Sequence, residues 1–296
     1  MSPLFFDFPR PSALGESLRG LLGAEQGKFI LKTFPDGETY LRIENPVEGC
    51  HVIVNACLVP PNEVTLSLCF LSDALRAQGA KSVGLFAPYL PYMRQDKVFH
   101  PGEALTSRTF AQLISTYFHY LVTVDPHLHR YHSLDEIYSI PTSVVQAAPL
   151  LQEWIHATLP SPFLIGPDAE SVQWVKEIAG ASPFIVLQKE RYADGHVKIN
   201  WPETLSFEGK TPVLIDDIIS SGGTMVQAVE HLKTLTPTPP VCLVIHPIFA
   251  EHSYQDLLKS GVECIVSCNS LPHPSNQLDL APLVLPALTY FLEKFS

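Results

Sequence analysis

The chain has 296 residues, 46% of them hydrophobic and 17% charged, and its 19 Lys and Arg stand against 30 Asp and Glu for a formal charge of −11. Such a chain buries full cores, is not a disordered protein, and at this length is expected to form two domains. Its acidic balance argues against nucleic acid or an anionic membrane surface as a partner, and no apolar run reaches the roughly 18 residues that a membrane span requires.

The N-terminus MSPLFFDFPRPS lacks the basic and apolar regions of a signal peptide. Cysteines 50, 57, 69, 242, 264 and 268 form no CxxC pair. They read as reduced thiols, mostly buried, in a cytoplasmic protein; Cys264 and Cys268 lack the neighbouring Cys or His pair that a metal site needs. Phe34-Pro35-Asp36-Gly37-Glu38 stands before the alternating stretch Tyr40-Leu41-Arg42-Ile43, and its Asp-Gly reads as a hairpin turn. HVIVNACL (51–58) reads as a buried strand, and Val64, Leu68, Leu71 and Leu75 then line one face of a helix.

SVGLFAP (82–88) is the next strand, followed directly by Pro88-Tyr89-Leu90-Pro91-Tyr92-Met93-Arg94-Gln95-Asp96-Lys97. An aromatic with Arg94, Gln95 and Asp96 suits a loop that stacks on a base and grips phosphates; a surface loop with a solvated charge pair is the other reading. A helix is expected near 105–118, then the strand HYLVTVD (119–125), which ends in Asp125-Pro126-His127, with His129 and His132 close behind. A histidine just past a strand end, beside a carboxylate, suits a metal ligand or proton donor as well as a structural role.

The alternation restarts after Ile140-Pro141, which divides the chain into 1–141, 142–282 and a terminal helix within 283–296. Helices are expected near 144–158 and 169–180, around the strand FLIG (163–166), which is followed by Asp168. FIVLQ (184–188) leads into Lys189-Glu190-Arg191 and then Tyr192-Ala193-Asp194-Gly195-His196. Two cations one residue apart in such a stretch suit either a mobile loop that closes on phosphates or a solvated hairpin tip. VLIDD (213–217), VCLVIHP (241–247) and CIVSC (264–268) are further strands, with helices near 224–235 and 251–260. Alternating strands and helices mean α/β architecture: mainly parallel sheets covered by helices, with ligands at the carboxyl ends of the strands.

Thr211 to Val226, TPVLIDDIISSGGTMV, is the stretch around which the rest is organised. A buried strand ends in Asp216 and Asp217; Ser220, Ser221, Gly222, Gly223 and Thr224 follow; then Met225, Ala228, Val229 and Leu232 repeat at helical spacing. Small residues at a helix N-terminus form an anion cradle, because orphan amides and the positive end of the helix dipole face the ligand. Carboxylates repel phosphate, so the acidic pair serves the other end of the ligand, as sugar hydroxyls or a bound magnesium.

This stretch resembles the phosphoribosyl-diphosphate (PRPP) binding motif of the type I phosphoribosyltransferase fold. Together with the other motifs, in order over nearly the whole chain, it resembles the ribose-phosphate diphosphokinase (PRPP synthetase) family. The resemblance implies two tandem, similar α/β domains with the active site between them and the terminal helix returning to the first. It implies ATP held by Phe34, Asp36, Glu38, Arg94, Gln95 and Asp96, and Mg2+ held by His127 and Asp168. Lys189, Arg191 and His127 would be catalytic, and Asp216, Asp217 and Ser220 through Thr224 would hold ribose 5-phosphate. The implied reaction gives PRPP and AMP, and a homo-oligomer is expected.

The chain departs from the family in three places. Ser220 replaces an acid common in the family, Glu170 and Ser171 replace glycines, and His100-Pro101-Gly102-Glu103-Ala104-Leu105-Thr106 poorly matches the basic stretch of the phosphate-regulated site. A phosphoribosyltransferase would explain Asp216 to Thr224 but not the Phe34 and Arg94 motifs. A non-catalytic partner of a synthetase would be expected to lack Lys189, Arg191 or His127, and all three are present.

Overall fold

A computed structural model describes residues 2–167, 171–191, 197–202 and 205–296; the side chains of Gln173, Lys189, Glu190, Arg191, Val197, Lys198 and Ile199 are outside that description. The chain divides into two compact units, Met1–Gln146 with Ala281–Ser296, and Ala147–Leu280.

The first unit opens with β1 (Leu4–Phe8), α1 (Ala13–Leu22) and β2 (Glu25–Gln26), none of which the periodicity predicts. LFFDF is only five residues long and runs straight into proline, so no alternation develops to mark it. Ser12 caps α1 by accepting from the Gly15 amide at 3.0 Å, and Gly23 ends it in the left-handed region at φ 58°. An antiparallel ribbon follows, β3 (Phe29–Thr33) and β4 (Thr39–Ile43), then β5 (His51–Ala56), α2 (Pro61–Ala77), β6 (Ser82–Ala87), α3 (Thr106–Tyr117), β7 (Tyr120–Val124), a 3-10 turn Leu134–Glu136, and β8 (Thr142–Val145).

The strands form one sheet in the order β2-β1-β5-β6-β7-β8, every pair parallel. Leu4, Phe6 and Phe8 face a core that takes in Leu68, Leu71 and Leu75 of α2 and Phe110, Ala111 and Ile114 of α3. Thr142–Val145 extends this sheet as its edge strand, past the Ile140-Pro141 position.

The second unit runs α4 (Ala148–Thr158), β9 (Pro162–Gly166), α5 (Val172–Ala179), β10 (Phe184–Val186), a ribbon of β11 (Gln188–Arg191) and β12 (Val197–Asn200), β13 (Thr211–Ile219), α6 (Gly223–Leu235), β14 (Val241–Pro247), α7 (Ser253–Lys259), β15 (Cys264–Cys268) and β16 (Asn276–Leu278). Its sheet order is β10-β9-β13-β14-β15-β16, again all parallel. Met225, Ala228, Val229 and Leu232 of α6 are buried against it, as their spacing predicts.

The two sheets repeat one plan. In each, the second strand lies outside the first, an antiparallel ribbon comes next in the chain, and the following sheet strand joins the first on its other side. The strand order therefore reverses between β1 and β5 in one unit and between β9 and β13 in the other. Ligands of open parallel sheets sit in the crevice outside the carboxyl ends of the strands at such a reversal.

α8 (Ala281–Lys294) closes the chain and belongs to the first unit, where Phe291 stacks on Tyr120 with ring centroids 4.5 Å apart. Among the described residues no helix is long and apolar enough to cross a membrane, and all six cysteines are free thiols.

Candidate functional site

The organising stretch meets the strand-order reversal of the second unit. β13 does not stop at the acidic pair: it runs through Asp216 and Asp217 to Ile219, with Asp216 opposite Val244 and Ile218 opposite His246 of β14. Pairing with β14 holds the backbone extended beyond the point where apolar residues give out. Asp216 Oδ1 accepts from the Asp217 amide at 3.0 Å, which fixes the first carboxylate against its own backbone. Both acids are half-buried.

Ser220 and Ser221 bridge to α6, whose cap residue Gly222 sits at φ 71°, a left-handed conformation that glycine adopts without penalty. Among the described residues no side chain caps this helix, so the first amides of α6 stay available to an anion, aided by the helix dipole. Gly223 has open space where a Cβ would stand, whereas at Gly222 a Cβ would meet that of Ser253 at 3.4 Å. The loop is braced from below: the carbonyl of Ser220 accepts from the Ala250 amide at 2.9 Å and from the Ser253 hydroxyl at 2.8 Å. The sequence reading missed Ser253, because a serine 33 residues downstream carries no local mark of that contact.

Lys189 and Arg191 lie in β11, opposite Ile199 and Val197 of β12, so they stand on one strand of an antiparallel ribbon. Residues 192–196 lie outside the described residues, as do Asp168 and Glu170. Ser171 is described, and buried.

In the first unit, Phe34–Glu38 forms the tip of the β3–β4 ribbon, and the expected hairpin is present. The Phe34 amide donates to the Glu38 carbonyl at 2.7 Å and the Gly37 amide to the Phe34 carbonyl at 2.9 Å. Asp36 Oδ1 accepts from the Glu38 amide at 3.2 Å. Phe34 is 49% exposed, its ring edge-on to Tyr40 at 6.1 Å, so an apolar face is open to a planar ligand.

Arg94, Gln95 and Asp96 lie on the loop after β6, and His127 on the loop after β7, both at carboxyl ends of adjacent strands. Arg94 is exposed and Gln95 half-buried. Asp96 differs from both: its side chain is 1% exposed, and its Oδ1 accepts from Arg130 Nη1 at 2.7 Å. Asp125 takes φ 33°, an uncommon value off glycine, as the chain leaves β7 toward His127. The His127 ring meets that of His129 edge-on, centroids 3.8 Å apart. Arg130 is the second residue the sequence reading missed, its carboxylate partner lying 34 positions away.

Among the described residues no cluster of three or more His, Cys, Asp or Glu forms a metal cage. A magnesium ion bound with a nucleotide takes one or two protein ligands and fills its shell with phosphates and water. His127, on the loop after β7, is a donor compatible with that manner of binding, and Asp168 lies outside the described residues.

Two family profiles cover most of the chain. One, the N-terminal domain of ribose phosphate pyrophosphokinase, matches residues 5–117, and the other, a phosphoribosyl transferase domain, matches residues 133–275. A ribose-phosphate pyrophosphokinase of Methanopyrus kandleri is 32% identical over 279 residues, spanning 93% of this chain and 94% of that protein. A second, from Methanosarcina acetivorans, is 31% identical over 283 residues, 95% and 97% of the two chains. The crystal structure of a phosphoribosylpyrophosphate synthetase from Mycobacterium smegmatis shares the fold, with a TM-score of 0.87 at 24% identity over 99% of this chain and 100% of that one.

Proposed function

The chain belongs to the ribose-phosphate pyrophosphokinase family, and from that premise we propose how its residues make PRPP: the diphosphoryl group of ATP passes to the C1 hydroxyl of ribose 5-phosphate, leaving AMP. The observation that carries the reading is the uncapped N-terminus of α6, lying after two half-buried carboxylates at the strand-order reversal of the second unit. Amides of Gly223 and Thr224, with Ser220, Ser221 and Gly222 shaping their approach, hold the 5-phosphate. Asp216 and Asp217 accept hydrogen bonds from the ribose hydroxyls, the role left to carboxylates beside an anion site.

The exposed Phe34 ring takes the base, with Asp36 and Glu38 as acceptors for its amino group. Arg94 and Gln95 bind along the phosphates. In-line attack on the β-phosphorus needs little covalent help from protein groups, so positioning and charge stabilisation dominate. Lys189 and Arg191 neutralise charge that grows on the transferred group in the transition state. His127 and Asp168 would hold Mg2+, which when bound supplies charge neutralisation on the diphosphate. A cytoplasmic homo-oligomer is the setting that six free thiols and the exposed Leu66 and Phe70 of α2 support.

The test is to incubate purified protein with ATP, Mg2+ and ribose 5-phosphate and to separate the nucleotides. AMP and PRPP are expected in equal amounts, with neither formed once the metal is chelated. Stoichiometric ADP would overturn the assignment and make the protein an ordinary kinase.

A further inference from the structure

Asp96 belongs to the Arg94-Gln95-Asp96 motif, yet its side chain is 1% exposed and cannot lie against a nucleotide. One carboxylate oxygen receives Arg130 Nη1 at 2.7 Å; the other, Oδ2, is buried with no hydrogen-bond partner among the described residues. Burying a carboxylate is costly unless it is paired, and among the described residues Arg130 makes that pair.

Arg130 is the opposite case: its side chain is 41% exposed. Its guanidinium carbon lies 5.1 Å from the centroid of the Phe99 ring, which covers one face. Of the five N–H donors of a guanidinium, one is in a hydrogen bond among the described residues, that to Asp96. Asp96 and Phe99 thus pin a long, flexible cation by edge and face. A cation fixed in this way has already lost the freedom that binding would otherwise cost it, and its planar fork suits phosphate oxygens. It sits on the loop after β7, three residues beyond His127, and its anchor sits on the loop after β6, next to Arg94 and Gln95. Both loops leave the carboxyl ends of neighbouring parallel strands, the ligand end of such a sheet.

We propose that Arg130 binds the polyphosphate of the nucleotide substrate, and that Asp96 is its buried anchor rather than a nucleotide ligand. The proposal rests on the synthetase reading for the identity of the anion. It moves the direct contact from the motif residue to a residue 34 positions away that no motif marks.

The experiment measures Mg2+-ATP and adenosine affinity by titration calorimetry for the full chain and for Arg130→Gln, Arg130→Lys and Asp96→Asn. Gln keeps a donor for Asp96 and removes the charge, so it serves where Arg130→Ala would unfold. Arg130→Gln is expected to weaken ATP at least about tenfold while leaving adenosine unchanged. Arg130→Lys should fall between Gln and the unaltered chain, and Asp96→Asn should weaken ATP less than Arg130→Gln does. Equal loss for ATP and adenosine would assign Arg130 a merely structural role and overturn the proposal, as would unchanged ATP affinity in a folded Arg130→Gln. If the unaltered chain binds no ATP, the synthetase reading itself fails and this proposal with it; normal binding there separates the two.

Discussion

The Ser253 hydroxyl donates to the Ser220 carbonyl at 2.8 Å, tying the start of α7 to the first residue of the anion loop. The segment that delivers it carries Phe249 and Glu251 at φ 28° and 45°, uncommon for side-chain-bearing residues. Backbone held there costs about 1 kcal/mol or more per residue and persists where surrounding contacts fix it. Ser253→Ala leaves the Ala250 amide on the same carbonyl, so a stability loss of about 1 kcal/mol is expected. A several-fold rise in KM for ribose 5-phosphate should accompany it, with KM for ATP unmoved. Thermal melts and two-substrate kinetics check both halves, and an unchanged ribose 5-phosphate KM would remove the brace from the binding site.

Gly222 and Gly223 give a sharper contrast. At φ 71°, with Ser253 Cβ 3.4 Å from the position of an added methyl, Gly222→Ala should cost about 1–2 kcal/mol of stability. Gly223 is the first residue of α6, and an added methyl there meets nothing within 4 Å. Gly223→Ala should therefore melt no lower than the unaltered chain, since alanine favours the helix. Its methyl would nevertheless stand at the proposed approach of the phosphate, and KM for ribose 5-phosphate should rise. A Gly223→Ala protein with full affinity would show that the anion lies elsewhere.

Much of this architecture is legible in the sequence because parallel strands buried on both faces are written as apolar runs; SVGLFA and VCLVIHP became β6 and β14. Helices with a clean apolar stripe, such as α6, were equally visible. What escaped was set by partners rather than by composition. Edge strands β8 and β16 are short and half polar, and only pairing with β7 and β15 makes them strands. Asp216 and Asp217 read as the end of a strand, yet β14 holds that backbone extended to Ile219. The same holds for the site. Small residues and glycines announce the anion loop, but nothing local in the sequence marks Ser253 or Arg130 until folding brings their partners to them.

Lys189 tests the charge argument. A donor that meets charge only in the transition state lowers kcat when removed and leaves ground-state binding alone. Lys189→Ala is expected to reduce kcat by roughly 10²-fold or more, with ATP affinity nearly unchanged. A rise in KM alone would make β11 a binding clamp.

Asp7 occupies the strand-order reversal of the first unit, the counterpart of the place where the anion loop stands in the second. There it is closed in: Asn55 Nδ2 donates to Asp7 Oδ1 at 2.6 Å, and a methyl on Gly15 would lie 1.7 Å from that oxygen. Burial pushes the Asp7 carboxyl above its ordinary value of 3.8, against the lowering by Asn55, Ser12 and Arg19. The folded protein thus holds this proton more tightly than the unfolded chain. The stabilisation is full below the ordinary value and is lost as pH rises through the folded one. Asp7→Asn keeps an acceptor for Asn55 and never ionises. Its melting temperature relative to the unaltered chain should therefore increase between about pH 4 and about pH 7. A constant or shrinking difference would show that Asp7 is comfortably ionised where it lies.

Regulation by free phosphate is the remaining test, and Glu103 decides the expectation. Its Oε2 accepts from the amides of Phe99 and His100 at 2.7 and 3.0 Å, and its Oε1 lies 2.8 Å from His100 Nδ1. The hydrogen bonds from the His100 side chain and amide and the Phe99 amide hold the carboxyl below its ordinary value of 4.5, so it is ionised at neutral pH. The Phe99 and His100 amides and the His100 ring nitrogen are thus already engaged by a carboxylate of the same loop. Phosphate would have to displace a tethered competitor at high effective concentration, with Lys97 the one Lys or Arg within the segment from Lys97 to Thr106. Control by an effector requires that it bind one state of the protein better than another, and this loop gives phosphate little to bind in any state. We expect full activity in phosphate-free buffer and a flat response as phosphate rises at fixed ATP, with ADP acting only as a competitor of ATP. A many-fold activation by phosphate would place an effector site on residues other than this loop.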